Sequence, residues 1–222
     1  EKTIQFIKEE TVFKNGFSYN KTNQVKISAI IPVHVWGNAN WLDELMPLCQ
    51  ERNIAVVEDA SEGLGTIYND GENSGKHTGT VGKIGCLSFN GNKIITSAGG
   101  GVVLTNNKKI QKKIIYLINQ AKDDDLNFKH HEIGFNYRLS NIHAAIGLAQ
   151  IENLEKVLKL KKKIHLEYKK GLEKIEGLSI LSAPEYSKSN YWINILCVDK
   201  KYKFSKKILL KKLISNNIEA RS

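Results

Sequence analysis

Residues 54–66 read IAVVEDASEGLGT, and the first six of them form an apolar run that ends in two acids. A short continuous apolar run of this kind predicts a strand that is buried on both faces. The run KISAIIPVH at 26–34 has the same character, and NWLDELMPLCQERN at 40–53 lies between the two, with leucines at helical spacing despite Pro47. Strand, helix and strand in this order predict a right-handed parallel crossover in a layered α/β sheet.

The rest of the chain continues the α/β pattern. We expect two short strands at 85–90 and 100–106, a helix at 108–121 and a polar loop at 122–138. A long helix capped by Ser140 is expected to run from 140 to about 171 or 177. Another strand at 191–199 and a last helix at 205–217 follow it. A change of domain is expected within the long helix. This predicts a large domain at 1–150 and a small C-terminal domain at 151–222.

Composition excludes several classes of protein. The chain of 222 residues is 41% hydrophobic and 25% charged, which is typical of a globular protein that can bury a real core. No apolar run approaches the length of a membrane helix, and no leader of the secretory type is expected. The three cysteines form neither a disulfide framework nor a metal pattern, so we expect buried thiols, a cytoplasmic location and no metal.

The net charge of +10 comes almost entirely from lysine, because only three of the 33 basic residues are arginines. The lysines punctuate helices and are expected to lie on solvated faces, so specific binding of nucleic acid is not predicted. A positive field still favours phosphorylated small molecules, including sugar nucleotides.

The acid that ends the apolar run at 54–59 is a candidate for chemistry. Ligands of open parallel sheets bind at the carboxyl ends of the strands, where Asp59 is expected, and strand alternation would turn Glu58 to the opposite face. A carboxylate there can hold a protonated ring nitrogen, as a pyridoxal ring requires. From these two residues alone, a helix cap or a simple ion pair is the more common role for Asp59.

Lys93 is the only charge in SFNGNKIITSAGGG at 88–101. Among apolar residues and glycines its ammonium would lose hydration, and the neutral amine could form a Schiff base with an aldehyde. The alternative is a lysine whose charged head reaches water. Ser88 could donate to a phosphate, and the glycines would let backbone approach a cofactor closely. No dinucleotide fingerprint, nucleotide phosphate loop or HExxH zinc motif is found.

Three segments together resemble the DegT/DnrJ/StrS-type sugar aminotransferases, which are pyridoxal-phosphate enzymes of fold type I. They are VVEDASEGLGT at 56–66, GKHTGTVGKIGCLSFNGNKIITSAGGGVVLTNN at 75–107, and the segment at 120–164 that contains GFNYR. The resemblance implies a three-layer α/β/α large domain, here incomplete, and part of a small α+β domain. The motifs EDASE, SFNGNKIIT and QAKDD are most similar to those of the LegC-type branch. That branch aminates C4 of UDP-linked 4-keto-6-deoxy-N-acetylhexosamines on the way to legionaminic-acid-like or bacillosamine-like surface sugars.

The resemblance also implies a role for each matching residue. Lys93 would bond to the aldehyde of pyridoxal phosphate and shift the proton, Asp59 would pair with the ring nitrogen, and Ser88 would bind the phosphate. Asn136 would reach the phosphate in a neighbouring subunit's site, so a homodimer is expected. Glutamate is the expected amino donor and a nucleotide-linked keto-sugar the expected acceptor.

Further positions carry weaker expectations. Glu62 stands where many members of the family have glutamine or histidine near the cofactor's phenolic oxygen, and we expect it to be protonated or turned away. His34, His131 and Arg221 are weak candidates for binding substrate, and His34 could instead cap a turn. Arg138 is expected to tie its loop to the long helix.

The sequence also departs from the family's pattern. TSAGGG replaces TTGGGG, and neither the phosphate-binding loop nor the ring-stacking aromatic of the family's preceding segment is found, so we expect a middle and later portion of a longer enzyme. Three alternatives stay open: a sugar dehydratase of the same fold, a non-catalytic member, and an inert piece. The dehydratases have histidine in place of the lysine, so Lys93 favours amination.

Overall fold

The structure, a computed structural model, describes residues 1–124, 126–200, 202 and 205–221. Asp125 of the predicted polar loop, and four positions of the predicted small domain, lie outside the described residues: Lys201, Lys203, Phe204 and Ser222. The helices are α1 Lys2–Glu9, α2 Leu45–Glu51, α3 Lys108–Ile118, α4 Asn141–Ile151, α5 Leu154–Leu172 and α6 Lys206–Ser215. The strands are β1 Thr11–Lys14, β2 Phe17–Asn20, β3 Lys26–Ile27, β4 Ala29–Ile30, β5 Ala55–Asp59, β6 Ile67–Tyr68, β7 Ile84–Ser88, β8 Gly101–Leu104, β9 Lys122–Asp124, β10 Lys129–His130, β11 Leu178–Ile180, β12 Ser187–Lys188 and β13 Leu196–Val198.

A four-stranded sheet in the order β4-β5-β7-β8 forms the centre of the fold. Strand β4 pairs in parallel with β5, β5 pairs in parallel with β7, and β8 closes the sheet antiparallel to β7. The chain passes from β4 through α2 to β5, so the predicted parallel crossover is confirmed. The other strands form small antiparallel sheets, namely β1-β2-β3, β6-β12, β9-β10 and β11-β13.

Helix α2 packs on this sheet through the leucines that predicted it. Leu42, Leu45 and Leu48 are all buried and share one core cluster with Ile54 of the following strand segment. Pro47 is the third residue of the helix, where a backbone N–H has no intrahelical acceptor, so the proline costs little there.

The strand predicted at 26–34 is shorter and more exposed than expected. It is divided into β3 and β4, which belong to two different sheets. Strand β4 lies at an edge of the central sheet, and beyond it Ile31 and Val33 are 62% and 41% exposed. The expectation of a strand buried on both faces is therefore wrong for this segment, because among the described residues β4 pairs with a strand on one side only and the residues after it are exposed.

The predicted long helix is interrupted. Ser140 caps α4 as expected, since its Oγ accepts from the backbone N–H of His143. Helix α4 ends at Ile151, and α5 begins at Leu154 after Asn153 leaves the helical region with φ −99° and ψ 2°. The domain boundary predicted after residue 150 falls beside this break and stays a prediction. The strand predicted at 191–199 is likewise limited to β13.

Helix α4 is apolar but carries no buried residue. Ile142 is 75% exposed and Leu148 60% exposed. A helix that is apolar on all sides is usually enclosed by other parts of a protein, so the sequence of α4 matches a more enclosed environment than the described residues supply. The thiols also differ from expectation, because Cys49 is buried whereas Cys197, on the outer pair β11-β13, is exposed. None of the described helices is both long and apolar enough to cross a bilayer.

A second core cluster lies under the carboxyl ends of the central strands. Its buried members are Leu64, Phe89, Ile94, Ile95 and Trp192. Helix α5 packs against the cluster through Leu154, Val157 and Leu158. The later part of the chain therefore contacts the residues that follow Lys93, namely Ile94 and Ile95 of the same cluster.

Glu58 of β5 is a fully buried carboxylate that is surrounded by donors. The backbone N–H groups of Gly79, Val81 and Gly82 donate to it over 2.8, 2.7 and 2.6 Å. The ring Nε2 of His34 lies 2.9 Å from the same carboxylate. Burial raises the pKa of Glu58, but the hydrogen bonds from His34, Gly82 and Gly79 outweigh it, and the pKa lies below its ordinary value.

Both ring nitrogens of His34 have hydrogen-bond partners inside the protein. Its side chain is fully buried, and its Nδ1 accepts from the backbone N–H of Asn40 at 3.1 Å. The ring proton therefore lies on Nε2 and is donated to Glu58, as in a neutral imidazole. The geometry gives no support to His34 as a substrate ligand, because neither nitrogen faces open space.

We predict that Glu58→Gln lowers the free energy of unfolding by about 3 kcal/mol at pH 7, because an amide cannot accept all of these hydrogen bonds. The folded-state pKa of Glu58 is depressed, so its contribution is present above the unfolded pKa of about 4.3 and is lost as pH falls through the folded value. Urea unfolding at pH 7 and at successively lower pH measures both effects.

Glu51→Gln is the matched control, because Glu51 is 69% exposed and pairs with Arg52 at the surface. It should change stability by no more than about 0.5 kcal/mol. Equal losses for the two variants would contradict the assigned role of Glu58.

Candidate active site

Asp59 and Ser88 lie on one face at the carboxyl ends of two adjacent parallel strands. Asp59 is in register with Cys86 of β7, and Ser88 is two residues further along that strand. Residues two apart on a strand share a face, so Asp59, Cys86 and Ser88 point the same way. Burial and then the nearby charge of Asp59 raise the pKa of the Cys86 thiol, which agrees with this placement. Glu58 faces the opposite side, as predicted.

The carboxylate of Asp59 is only partly occupied. Its backbone donates to Pro32 and accepts from His34, which fixes the strand end. One side-chain oxygen accepts from the N–H of Ser61 at 3.0 Å, so a local turn accounts for that oxygen alone. Within the described residues the other oxygen has no donor and Asp59 has no ion pair. That oxygen can accept a hydrogen bond from a ligand.

Lys93 lies in the turn after β7, and its side chain is only 13% exposed. Its Nζ is 3.7 Å from Oε1 of Glu62 and 4.7 Å from the centre of the Trp192 ring. The alternative of a lysine whose head reaches bulk water is therefore not observed. The amine lies between a carboxylate and an aromatic face.

Glu62 is directed toward Lys93. Its Oε2 accepts from the backbone N–H of Trp36 at 2.6 Å, and this leaves Oε1 directed at the amine. Trp36 has φ 58°, a left-handed conformation that is uncommon for a bulky residue. That Glu62 is protonated or turned away from the phenolic oxygen of a bound cofactor stays a prediction.

Two residues that the sequence analysis did not select complete the site. Trp192 donates its indole N–H to the carbonyl of Asn92 at 2.7 Å, so its ring is held on the Lys93 turn. Asn190 is fully buried, and its amide donates to the carbonyls of Glu62 and Leu64. A run such as SNYWIN carries no recognisable motif, and only the fold brings it to the strand ends.

Asn190 also fixes Trp192, because its side-chain oxygen accepts from the backbone N–H of Trp192 at 2.9 Å. Its own backbone N–H donates to Oγ1 of Thr66. One buried amide thus joins the loop that carries Glu62 to the segment that carries Trp192. A Cβ on Gly37 would lie 1.9 Å from the Asn190 side-chain oxygen, so glycine is required there.

Ser88 and the glycine-rich turn lie at the same edge. The Ser88 hydroxyl oxygen accepts from the N–H of Asn90 at 3.3 Å, which leaves its proton free to be donated. Ala98, where the family's pattern has glycine, has φ 67°. This departure places a side chain in a left-handed conformation, at a cost of about 1 kcal/mol relative to glycine.

The other candidates lie elsewhere and are exposed. His131 pairs its Nδ1 with Asp123 at 2.8 Å, and Asn136 forms a backbone bridge with Asn119. Arg221 is exposed, and so is Arg138, whose guanidinium makes none of the expected contacts with described residues. Within the described part of the chain, no contact joins His131, Asn136 or Arg221 to Lys93.

The arrangement offers a shielded amine, a hydroxyl and a carboxylate oxygen that has no donor in the described part of the chain, all at the carboxyl edge of β5 and β7. Such a set suits a small molecule that carries a protonated nitrogen, a carbonyl group and an anionic group.

Comparison with known proteins places the chain in a family. Residues 19–222 match the DegT/DnrJ/EryC1/StrS aminotransferase family. The chain is 38% identical over 213 residues to the "putative pyridoxal phosphate-dependent aminotransferase EpsN" of Bacillus subtilis, a match that covers 95% of this chain and 53% of that protein. It is 34% identical to the GDP-perosamine synthase of Vibrio cholerae, over 88% of this chain and 52% of that enzyme. The chain belongs to this aminotransferase family, and it spans about half the length of these relatives.

Solved structures agree on the fold. DesI, crystallised with its TDP-sugar product, superposes with a TM-score of 0.79 at 23% identity, covering 90% of this chain and 49% of that one. An Escherichia coli GDP-4-keto-6-deoxy-D-mannose-3-dehydratase with bound hydrated PLP superposes with a TM-score of 0.75 at 25% identity, covering 90% and 54%. The predicted α/β fold of the pyridoxal-phosphate transferases is confirmed.

We predict that Gly37→Ala destabilises the protein by about 2 kcal/mol more than Gly16→Ala, because only the first places a methyl group against Asn190. The two glycines have nearly the same φ, +81° and +78°, and a Cβ on Gly16 meets no atom within 4 Å. Gly16→Ala therefore measures the backbone cost alone, which is about 1 kcal/mol. Urea unfolding of both variants tests the difference. Equal losses of unfolding free energy would show that Asn190 can move to make room for the added methyl group.

Proposed function

We propose, from this family membership and the geometry of the strand ends, that the complete protein is a pyridoxal-phosphate-dependent aminotransferase that acts on a nucleotide-linked keto-sugar. The observation that carries the proposal is the position of the Lys93 amine, which is shielded from water. It lies at the same sheet edge as Asp59, whose carboxylate has one oxygen bonded to the N–H of Ser61 and the other without a donor among the described residues. This chain spans about half the length of its relatives, so the activity is proposed for the whole protein.

The residues present fit pyridoxal phosphate. Asp59 would hold the protonated ring nitrogen through its free oxygen, Ser88 would donate its hydroxyl proton to the phosphate, and Lys93 would bond to the aldehyde. When bound, the cofactor supplies a ring that accepts the electron pair left on the substrate carbon when its proton is removed.

The chain's own residues then have distinct tasks. Asp59, ionised, keeps the proton on the ring nitrogen. The Nζ of Lys93, when neutral, takes a proton from the substrate carbon next to the nitrogen and returns a proton on the other side of that nitrogen. Glu62 lies beside Lys93 and, if it faces the phenolic oxygen, must be protonated there to avoid repulsion between two anions.

The substrate class is proposed from the resemblance and the relatives' names. The chain is 33% identical, over 76% of its length and 44% of the relative's, to a Campylobacter jejuni enzyme named UDP-4-amino-4,6-dideoxy-N-acetyl-beta-L-altrosamine transaminase. This relative and the motifs that resemble the LegC-type branch together favour one reaction. It is the transfer of an amino group from glutamate to C4 of a UDP-linked 4-keto-6-deoxy-N-acetylhexosamine. The net charge of +10 suits an anionic nucleotide sugar.

We place these reactions in a cytoplasmic homodimer with a large domain at 1–150 and a small domain from 151. Asn136 is exposed, and so are its neighbours Ile133 and Tyr137, as a segment that enters a second subunit's site would be in an isolated chain. Free thiols accord with a reducing compartment.

A sugar dehydratase is the second candidate function, because one superposable structure has that activity in its name. Lys93 favours amination, since the dehydratases of this fold have histidine in its place. A non-catalytic member or an inert piece would keep the fold but would neither hold the cofactor at Lys93 nor turn over sugar.

We expect borohydride reduction of the protein loaded with pyridoxal phosphate to fix the cofactor on Lys93. Peptide mapping by mass spectrometry locates the adduct. Lys93→Met should lose it, whereas Lys83→Met, which removes a lysine outside the turn, should retain it. An adduct on another lysine, or none, would end the proposal.

We expect the loaded protein to move nitrogen from ¹⁵N-glutamate to the sugar when it is given a UDP-linked 4-keto-6-deoxy-N-acetylhexosamine. Mass spectrometry of the sugar product distinguishes a ¹⁵N-amino sugar from a dehydrated sugar. Asp59→Asn should lower kcat at least about a hundredfold, because the neutral amide no longer holds the ring proton. A dehydrated product without ¹⁵N would support the dehydratase instead.

A further inference from the structure

We infer that Trp192 is a positioning residue for Lys93, and that its ring and the carboxylate of Glu62 together form a seat for the charged amine. The inference rests on the proposed function, because it concerns the lysine that would bond to the cofactor. It adds an aromatic residue that lies 100 positions along the chain from the Lys93 turn.

The seat has two walls that attract a cation. The amine is 4.7 Å from the centre of the Trp192 ring, within the range in which the negative face of an indole attracts an ammonium. Oε1 of Glu62 is 3.7 Å away, too far for a strong hydrogen bond but near enough for charge attraction. Both attractions act on the charged amine and vanish when it is neutral.

Each wall is held independently of Lys93. The Trp192 ring is almost fully buried and is anchored by its indole N–H on the carbonyl of Asn92. The Glu62 carboxylate is anchored on the N–H of Trp36. Asn190 bonds to the backbones of both Glu62 and Trp192, so the spacing of the two walls is fixed by one buried amide.

A fixed seat has a use in a lysine that must leave and return to one carbon. Lysine has a long stem with four rotatable bonds, and a free amine would sample many positions. When Lys93 is not bonded to a cofactor, the seat keeps its amine beside the strand ends and out of water. The seat also holds the amine against the Trp192 ring and the Glu62 carboxylate, so it should slow any reaction of Lys93 with an added electrophile.

The test is the rate at which Lys93 is labelled by a small amine-selective reagent in the cofactor-free protein at fixed pH, followed by peptide mapping. Trp192→Leu should raise the labelling of Lys93 about two- to fivefold relative to exposed lysines in the same sample, because the cation–π attraction is lost. Trp192→Phe keeps an aromatic face and should fall between Trp192→Leu and the unsubstituted protein. Trp41→Leu removes a tryptophan that packs on Tyr186 instead and should leave Lys93 labelling unchanged.

Equal labelling of the Phe and Leu variants would overturn the inference, because the indole would then act only through its bond to Asn92. Unchanged labelling in Trp192→Leu would overturn it as well. If Trp192→Leu does not fold, Glu62→Gln tests the other wall and should also raise labelling, with no increase counting against the seat. These results are obtained without cofactor, so they are separate from borohydride mapping, whose failure would remove the proposed function and not the seat.

Discussion

The site depends on a buried carboxylate that faces away from it. Glu58 can stay ionised inside the protein only because backbone N–H groups and His34 converge on it. Those bonds tie β5 to the 79–82 turn and to the start of the 3₁₀ turn Val35–Gly37. Since strand residues alternate, fixing Glu58 on one face fixes Asp59 on the other, with its free oxygen at the strand end.

The sequence was informative wherever a local rule applied. The apolar run before Asp59 and the glycine-rich turn after Ser88 identified two strand ends, and the parallel pairing of β5 with β7 places them side by side. Trp192 and Asn190 could not be found this way, because their roles arise from contacts between distant parts of the chain. His34 was predicted at a strand end, but it lies four residues after β4, directly before the 3₁₀ turn Val35–Gly37. Its burial against Glu58 is not revealed by any pattern around His34.

The breaks in regular structure were hard to predict for the opposite reason. Hydrophobic spacing runs through 140–171 without a gap, yet Asn153 leaves the helical region between α4 and α5. Helix α4 is apolar all round and has no buried residue, so its sequence matches a more enclosed environment than the described residues supply. A second subunit in the proposed homodimer would supply apolar cover of that kind.

The carboxylate of Glu62 balances the charge of the Lys93 ammonium. A glutamine there could still accept from the N–H of Trp36, but it could not balance the Lys93 ammonium, whose other partner among the described residues is the Trp192 ring. An ammonium must give up a proton before it can attack a carbonyl carbon, and the carboxylate 3.7 Å away is a nearby group able to receive one. If pyridoxal phosphate were bound as proposed, a Glu62 that has received that proton would be the protonated form expected beside the phenolic oxygen. In the proposed mechanism, the ion pair with Lys93 and a protonated Glu62 would differ only in the position of one proton.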